Sequence, residues 1–174
     1  MTRLEDILEE IHRYNPAADL DLIKKAYVFS AKVHQGQLRR SGEAYLTHPL
    51  EVAAILSKMR LDAPSIATGL LHATVEDTLT TVAEVAQLFG TPIAKLVDGV
   101  TKLSKINFTS REQRQAENFR KMFMAMAEDI RVILVKIADR LHNMRTLQYM
   151  PEEKQFKISE ETLDIYAPIA GRLG

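Results

Sequence analysis

The sequence contains no cysteine among its 174 residues. That excludes disulfide staples and thiolate metal sites, and it fits a chain that works in a reducing cytoplasm. Glycine and proline are sparse, with seven and six copies, and no repeats or low-complexity tracts occur. No window approaches the roughly 20 apolar residues that a membrane-spanning helix requires. The opening MTRLEDILEEIHRYN is too rich in acidic charge for a secretory signal. Neither sign of charge is in excess: 23 Lys and Arg balance 23 Asp and Glu. This neutrality removes the electrostatic footprint of a protein that coats nucleic acid or anionic membrane, so neither is expected as a partner, and any anionic ligand has to be held by a local cluster. What remains is apolar. With 46% hydrophobic residues, residues 1–174 suffice for one domain with a real core.

The periodicity is helical nearly throughout. TRLEDILEEIHRY places Leu4, Ile7, Leu8 and Ile11 on one face behind a Thr2-x-x-Glu5 capping box. DLDLIKKAYVFSAKVHQG places Leu22, Ala26, Phe29 and Val33 on a stripe and stops at Gly36. QLRRSGEAYLTHP lacks such a stripe and reads as a loop that delivers His48 to a helix beginning at Pro49. A helix over PLEVAAILSKMRL, a buried one through SIATGLLHA, and a third opened by the Thr81-x-x-Glu84 box follow, with Gly90-Thr91-Pro92 closing that helix and opening the next. The long helical pattern from Ser110 to Met150 is predicted to break near Glu128-Asp129, and RVILV within it has no strand partner and is assigned to a helix. Pro151 starts another helix, Pro168 and Gly171 are expected to interrupt the last segment, and Lys105 to Gln115 is expected to be mobile. The fold class is all-α, an irregular helical bundle.

Within this bundle the polar residues at apolar positions matter most. His48 stands at a helix start, His72 near a helix end before Glu76-Asp77, and Asp139 in VKIADRLHNM. Separate helices can converge such residues on one divalent ion, and imidazole with carboxylate suits manganese, iron or zinc. Asp139, Asn143 and Thr146 fall at i, i+4 and i+7, at the end of an apolar stripe that runs through Val132 and Val135. Polar groups there are costly to bury unless they are satisfied. Each residue also has a plain structural reading. A lone histidine on an apolar face is more often a packed core group than a ligand, which leaves His12, His34 and His142 unassigned. Glu76-Asp77 alone is a solvated helix end, and Arg39-Arg40 alone a solvated loop.

Their succession carries more than any one of them. RRSGEAYLTHP, then LLHATVEDT, then VKIADRLHNMRTL, resembles the HD-type hydrolase domain of the RelA/SpoT homologue family, the enzymes of the alarmone (p)ppGpp. The resemblance runs from about Ala26 to the end, where TLDIYAPIAGRLG looks like the family's exit from the hydrolase domain, so that about 151–174 would lead towards a synthetase domain. The resemblance implies an HD-domain fold with manganese (Mn2+) as cofactor and His48, His72 and Asp139 as its ligands. It also implies Glu76 and Asp77 as the pair that positions and activates water, and Arg39, Asn143 and Thr146, with Arg40 beside them, as nucleotide contacts. The implied reaction is hydrolysis of the 3'-pyrophosphate of ppGpp or pppGpp to GDP or GTP and pyrophosphate. Synthetase and regulatory domains of a longer protein are the implied partners.

One position departs from the pattern. Where the family has aspartate after the second histidine, this chain has Ala73. Its methyl group offers no donor oxygen and no negative charge, so metal affinity and hydrolysis are expected to fall. The alternative expectation is a catalytically silent domain that binds guanine nucleotide and controls a linked synthetase; a third is a helical scaffold that uses the cluster only for packing.

Overall fold

The computed structural model describes residues 1–106 and 111–174. Of the segment 105–115, Lys105 caps a helix and residues 111–115 open another, while 107–110 lie outside the described residues. The described elements are α1 (Leu4–Tyr14), α2 (Leu20–Val33), α3 (Thr47–Lys58), α4 (Ala63–Asp77), α5 (Val82–Phe89), α6 (Thr91–Ser104), α7 (Arg111–Glu128), α8 (Ile130–Arg145), α9 (Glu152–Glu161) and α10 (Ala167–Leu173). A 3-10 turn, Leu147–Tyr149, and a π turn, Thr162–Tyr166, join the last helices. Among the described residues the only β pairing is an isolated bridge between Leu38 and Ala44. The bundle is all-α and irregular.

Helix boundaries follow local side-chain chemistry. The Thr81 hydroxyl accepts the Glu84 N–H at 3.2 Å while the Glu84 carboxylate accepts the Thr81 N–H at 2.7 Å, which starts α5. Gly90, at φ +91°, closes α5 and precedes α6, a left-handed turn that costs other residues strain. Asp129 accepts the Arg131 N–H at 2.9 Å and starts α8, so the long pattern breaks at Glu128-Asp129.

Several details differ from expectation, and one is the start of α3, which falls at Thr47 rather than Pro49 because the first turn already forms at His48. The first helix is capped one residue later, with Asp6 rather than Glu5 reaching back to the Arg3 N–H at 3.2 Å. With the helix beginning at Leu4, Arg3 takes the cap position and Asp6 is the third residue after it, leaving Thr2 outside. On α2 the deepest face runs through Ile23, Ala26 and Ser30, while Leu22, Phe29 and Val33 are half-buried beside it. Gly171 does not interrupt the last segment, since α10 continues to Leu173. Pro168 sits in the first turn of α10, where its missing N–H is no loss, and the irregularity it demands is taken up by the π turn before it.

The core is organised around α4, which packs against α2, α3, α6 and α8. Every residue from Ile66 to Thr74 is buried, as expected for a helix covered on all sides. Gly69 permits the α3 contact: a Cβ there would lie 2.6 Å from Leu56 Cδ1. His72 stands within this packed stretch, one turn after Gly69, with His48 of α3 and Asp139 of α8 beside it.

Candidate metal centre

Three elements supply the centre. The loop before α3 is pinned by Tyr45 N–H to the Gln37 carbonyl (2.9 Å) and Arg39 N–H to the Glu43 carbonyl (2.8 Å). It delivers His48 to the first turn of α3, followed by Pro49. His72 lies on α4, and its Nδ1 faces the Gly69 carbonyl oxygen at 2.6 Å. A carbonyl can only accept, so the ring proton sits on Nδ1 and the Nε2 lone pair faces inward. Asp139 comes from the middle of α8. All three side chains are buried.

Their ligand atoms form a small triangle. His48 Nε2 lies 2.8 Å from Asp139 Oδ1 and 3.2 Å from His72 Nε2, and His72 Nε2 lies 3.4 Å from Asp139 Oδ1. Adjacent ligands on a first-row divalent ion, with bonds of about 2.1 Å, stand about 3 Å apart. The donor set of two imidazoles and one carboxylate therefore fits such an ion, with further positions left for water or substrate.

Charge and burial keep Asp139 and His48 in ligating form. Burial opposes ionisation of Asp139, but the Lys136 ammonium and the hydrogen bond from His48 hold its carboxyl well below the usual range. Lys136 donates to Asp139 Oδ2 at 2.8 Å and to Ser104 Oγ at 2.8 Å. Burial also opposes its charge, yet Asp139 keeps it raised and protonated. Asn143 Nδ2 donates to Asp139 Oδ1 at 3.2 Å. Burial drives His48 down to about 4, leaving the neutral imidazole that metals bind. On His72 burial is outweighed by Asp139, and the net direction is upward.

A cavity of about 350 Å³ opens onto the triangle, and the residues singled out in the sequence meet around it. Arg39, Arg40, His48, His72, Ala73, Glu76, Asp77, Asp139 and Asn143 all line it. Thr146 is not in its wall; its hydroxyl accepts from Arg39 Nη2 at 3.2 Å and so holds that guanidinium at the rim. The Ala73 methyl is buried beside His72. Glu76 and Asp77 end α4 and also border a wider groove of about 1090 Å³ lined by Phe29, Leu79 and Leu88. Crowding by protein raises the Glu76 carboxyl, against the pull of the Ser104 hydroxyl and Lys136. Asp77 Oδ2 accepts a short hydrogen bond from the Tyr45 hydroxyl, and Gln37 Nε2 donates to the Asp77 carbonyl at 3.1 Å.

Four participants were not identified from sequence: Lys136, Ser104, Tyr45 and His142. Lys136 precedes Asp139 by three residues, the spacing of a helical ion pair, but that spacing alone does not tell a buried pair from a solvated one. His142, left unassigned, brings its Nδ1 to 2.7 Å from His48 Nδ1. His34 stacks on Tyr45 with ring centroids 4.6 Å apart and does not face the triangle.

Known proteins share this chain's pattern. The family described as HD domain matches residues 26–174. A GTP pyrophosphokinase of Myxococcus xanthus is 67% identical over 167 residues, 94% of this chain and 22% of its own length. The bifunctional (p)ppGpp synthase/hydrolase SpoT of Escherichia coli K12 is 48% identical over all 174 residues, 25% of its length. The chain thus spans about a quarter of the length of these relatives. Among solved structures, a metazoan ortholog of SpoT described as hydrolyzing ppGpp superimposes with a TM-score of 0.65 at 26% identity, over 83% of each chain. The fold, the converging histidines and aspartate, and these matches agree: the chain belongs to the HD domain family, on its RelA/SpoT branch.

Proposed function

We propose that this chain is a (p)ppGpp 3'-pyrophosphohydrolase domain that uses Mn2+ held by His48, His72 and Asp139, weakened by Ala73. The observation that carries this reading is one small cavity with a ligand triangle at its base, two arginines at its mouth and a carboxylate pair on its wall. SpoT of E. coli and the metazoan ortholog, which carry hydrolase names or activity, support the substrate class.

The chain's residues divide the work. Arg39 and Arg40 supply fixed positive charge for the phosphates of an otherwise neutral protein, Arg39 being steadied by Thr146. Asn143, bonded to Asp139 Oδ1, lines the same wall and contacts the nucleotide. Glu76 takes the proton of the attacking water, since crowding already raises its affinity for a proton. Asp77, with one oxygen engaged by Tyr45, orients that water. A divalent ion, when bound, lowers the pKa of its water and offsets the charge that builds on phosphate oxygens.

Ala73 favours a second reading. It removes a donor from the metal side while Arg39, Asn143 and Thr146 remain, so the cavity binds guanine nucleotide without turnover and informs a linked synthetase. Restoring Ala73→Asp and measuring pyrophosphate release from ppGpp with Mn2+ tests both. Release by the restored chain supports the hydrolase; tight nucleotide binding without release, even after restoration, supports the silent domain. We also place the protein in the cytoplasm, joined to synthetase and regulatory domains. No helix among the described residues is long and apolar enough to cross a membrane, and the matched relatives are about four times longer.

A further inference from the structure

α8 grips the His48 imidazole at both nitrogens. Asp139 Oδ1 faces Nε2 at 2.8 Å, and His142, three residues later on the same helix, faces Nδ1 at 2.7 Å with its own Nδ1. Both α8 side chains are buried. His72 is held differently, because its Nδ1 partner is a carbonyl oxygen that can only accept. Its tautomer is fixed whatever the centre holds. The partner of His48 is a second imidazole, which can donate or accept.

We infer that His142 is a positioning residue for the metal centre, whose imidazole accepts the Nδ1 proton of the His48 tautomer that presents the Nε2 lone pair. With Nε2–H donating to Asp139, His48 Nδ1 accepts from His142 Nδ1–H. With Nε2 turned to ligation, His48 Nδ1–H donates to His142 Nδ1, which then carries its proton on Nε2. The exchange balances: the proton between the two Nδ1 atoms crosses from His142 to His48, the former Nε2 proton of His48 leaves to solvent, and one proton is taken up at His142 Nε2. Neither ring gains net charge, and the two facing Nδ1 atoms stay paired in both states. An apolar side chain at 142 would strand the His48 Nδ1–H of the ligating state, a buried donor with no acceptor. This inference rests on the metal-centre reading above.

The test is calorimetric titration of Mn2+ into the chain and its His142→Leu and His142→Asn variants. An asparagine Oδ1 stands close to the place of the histidine Nδ1 and can accept the same proton. The expected result is affinity weaker by about 10–100-fold in His142→Leu, the usual cost of losing an outer partner of a ligating histidine, and near-complete recovery in His142→Asn. Equal affinity in wild type and His142→Leu overturns the inference alone, and so does equal loss in both variants, which would mark packing rather than acceptance. No Mn2+ binding by the wild type overturns the metal reading itself. A measurement on the wild type needs no variant to fold: with Zn2+ as a diamagnetic probe, long-range ¹⁵N–¹H spectra should show a bare Nδ1 on His142 and a protonated Nδ1 on His48. A protonated His142 Nδ1 in that state contradicts the inference.

Discussion

The two walls of the cavity are built on opposite principles. On the ligand wall His48, His72 and Asp139 come from three packed helices, and each is tied by hydrogen bonds: His48 to His142, His72 to the Gly69 carbonyl, Asp139 to Lys136 and Asn143. On the opposite wall Arg39 and Arg40 ride a loop, with Arg39 half-buried, Arg40 exposed, and Thr146 as the side-chain anchor of Arg39. Positions that must suit one small ion are fixed before it arrives. Positions that must meet a polyanion sit on a loop held by its own backbone bonds and reach solvent, Arg39 with one side-chain contact. Loss of a side chain from the first wall should therefore disturb ion binding and folding together, whereas loss from the second should weaken substrate alone.

The largest effect that would sharpen this contrast is expected from Asp139→Ala. It removes a ligand and leaves the buried Lys136 ammonium without its partner. Metal affinity should fall by more than about 100-fold, beyond the range for an outer partner, and unfolding free energy should drop by about 3–5 kcal/mol, as when a buried ion pair loses one member. Titration calorimetry and denaturant melts would read the two. Leu70→Ala, in the fully packed part of α4, should cost about 2–5 kcal/mol in the same melts. If the ligand wall owes its rigidity to that packing, metal affinity should fall as well.

Arg39→Ala is the counterpart on the loop wall. It should weaken ppGpp binding by about 10–100-fold, the loss of a charge-assisted hydrogen bond, with metal affinity and melting unchanged. A parallel loss of metal binding would break the contrast. Smaller still, Tyr45→Phe in the Ala73→Asp background should lower kcat several-fold and leave KM unchanged, because Asp77 loses its hydroxyl donor while the phosphate contacts stay. The pH profile has a definite sign in that background. Glu76 must be deprotonated to act as base and its carboxyl is raised above the ordinary 4.5. Activity should therefore rise with pH through an acid limb set by Glu76, and Glu76→Gln should remove both the limb and the activity.

Much of this organisation was readable in the chain, for a physical reason. The Thr81–Glu84 box, the Gly90-Thr91-Pro92 junction and the break at Asp129 are set by bonds between residues four or fewer apart, so local chemistry states them. The stripe through Val132, Val135 and Asp139 proved to be a buried face. Lys136 was hidden because a helical lysine is ordinarily solvated; its burial is made by Ser104 on α6 and by the carboxylate it serves. His142 was hidden for a similar reason, since its partner His48 lies on another helix, 94 residues away. Gly171 misled because its missing Cβ ends helices only where a left-handed turn is wanted, and here the chain continues as α10.

Titration of Mn2+ into the purified chain, beside His48→Ala, His72→Ala and Asp139→Ala, tests the central claim most directly. One ion should bind per chain, and each of the three substitutions should abolish that binding. Absence of binding to the parent chain, or binding that survives all three substitutions, would contradict it.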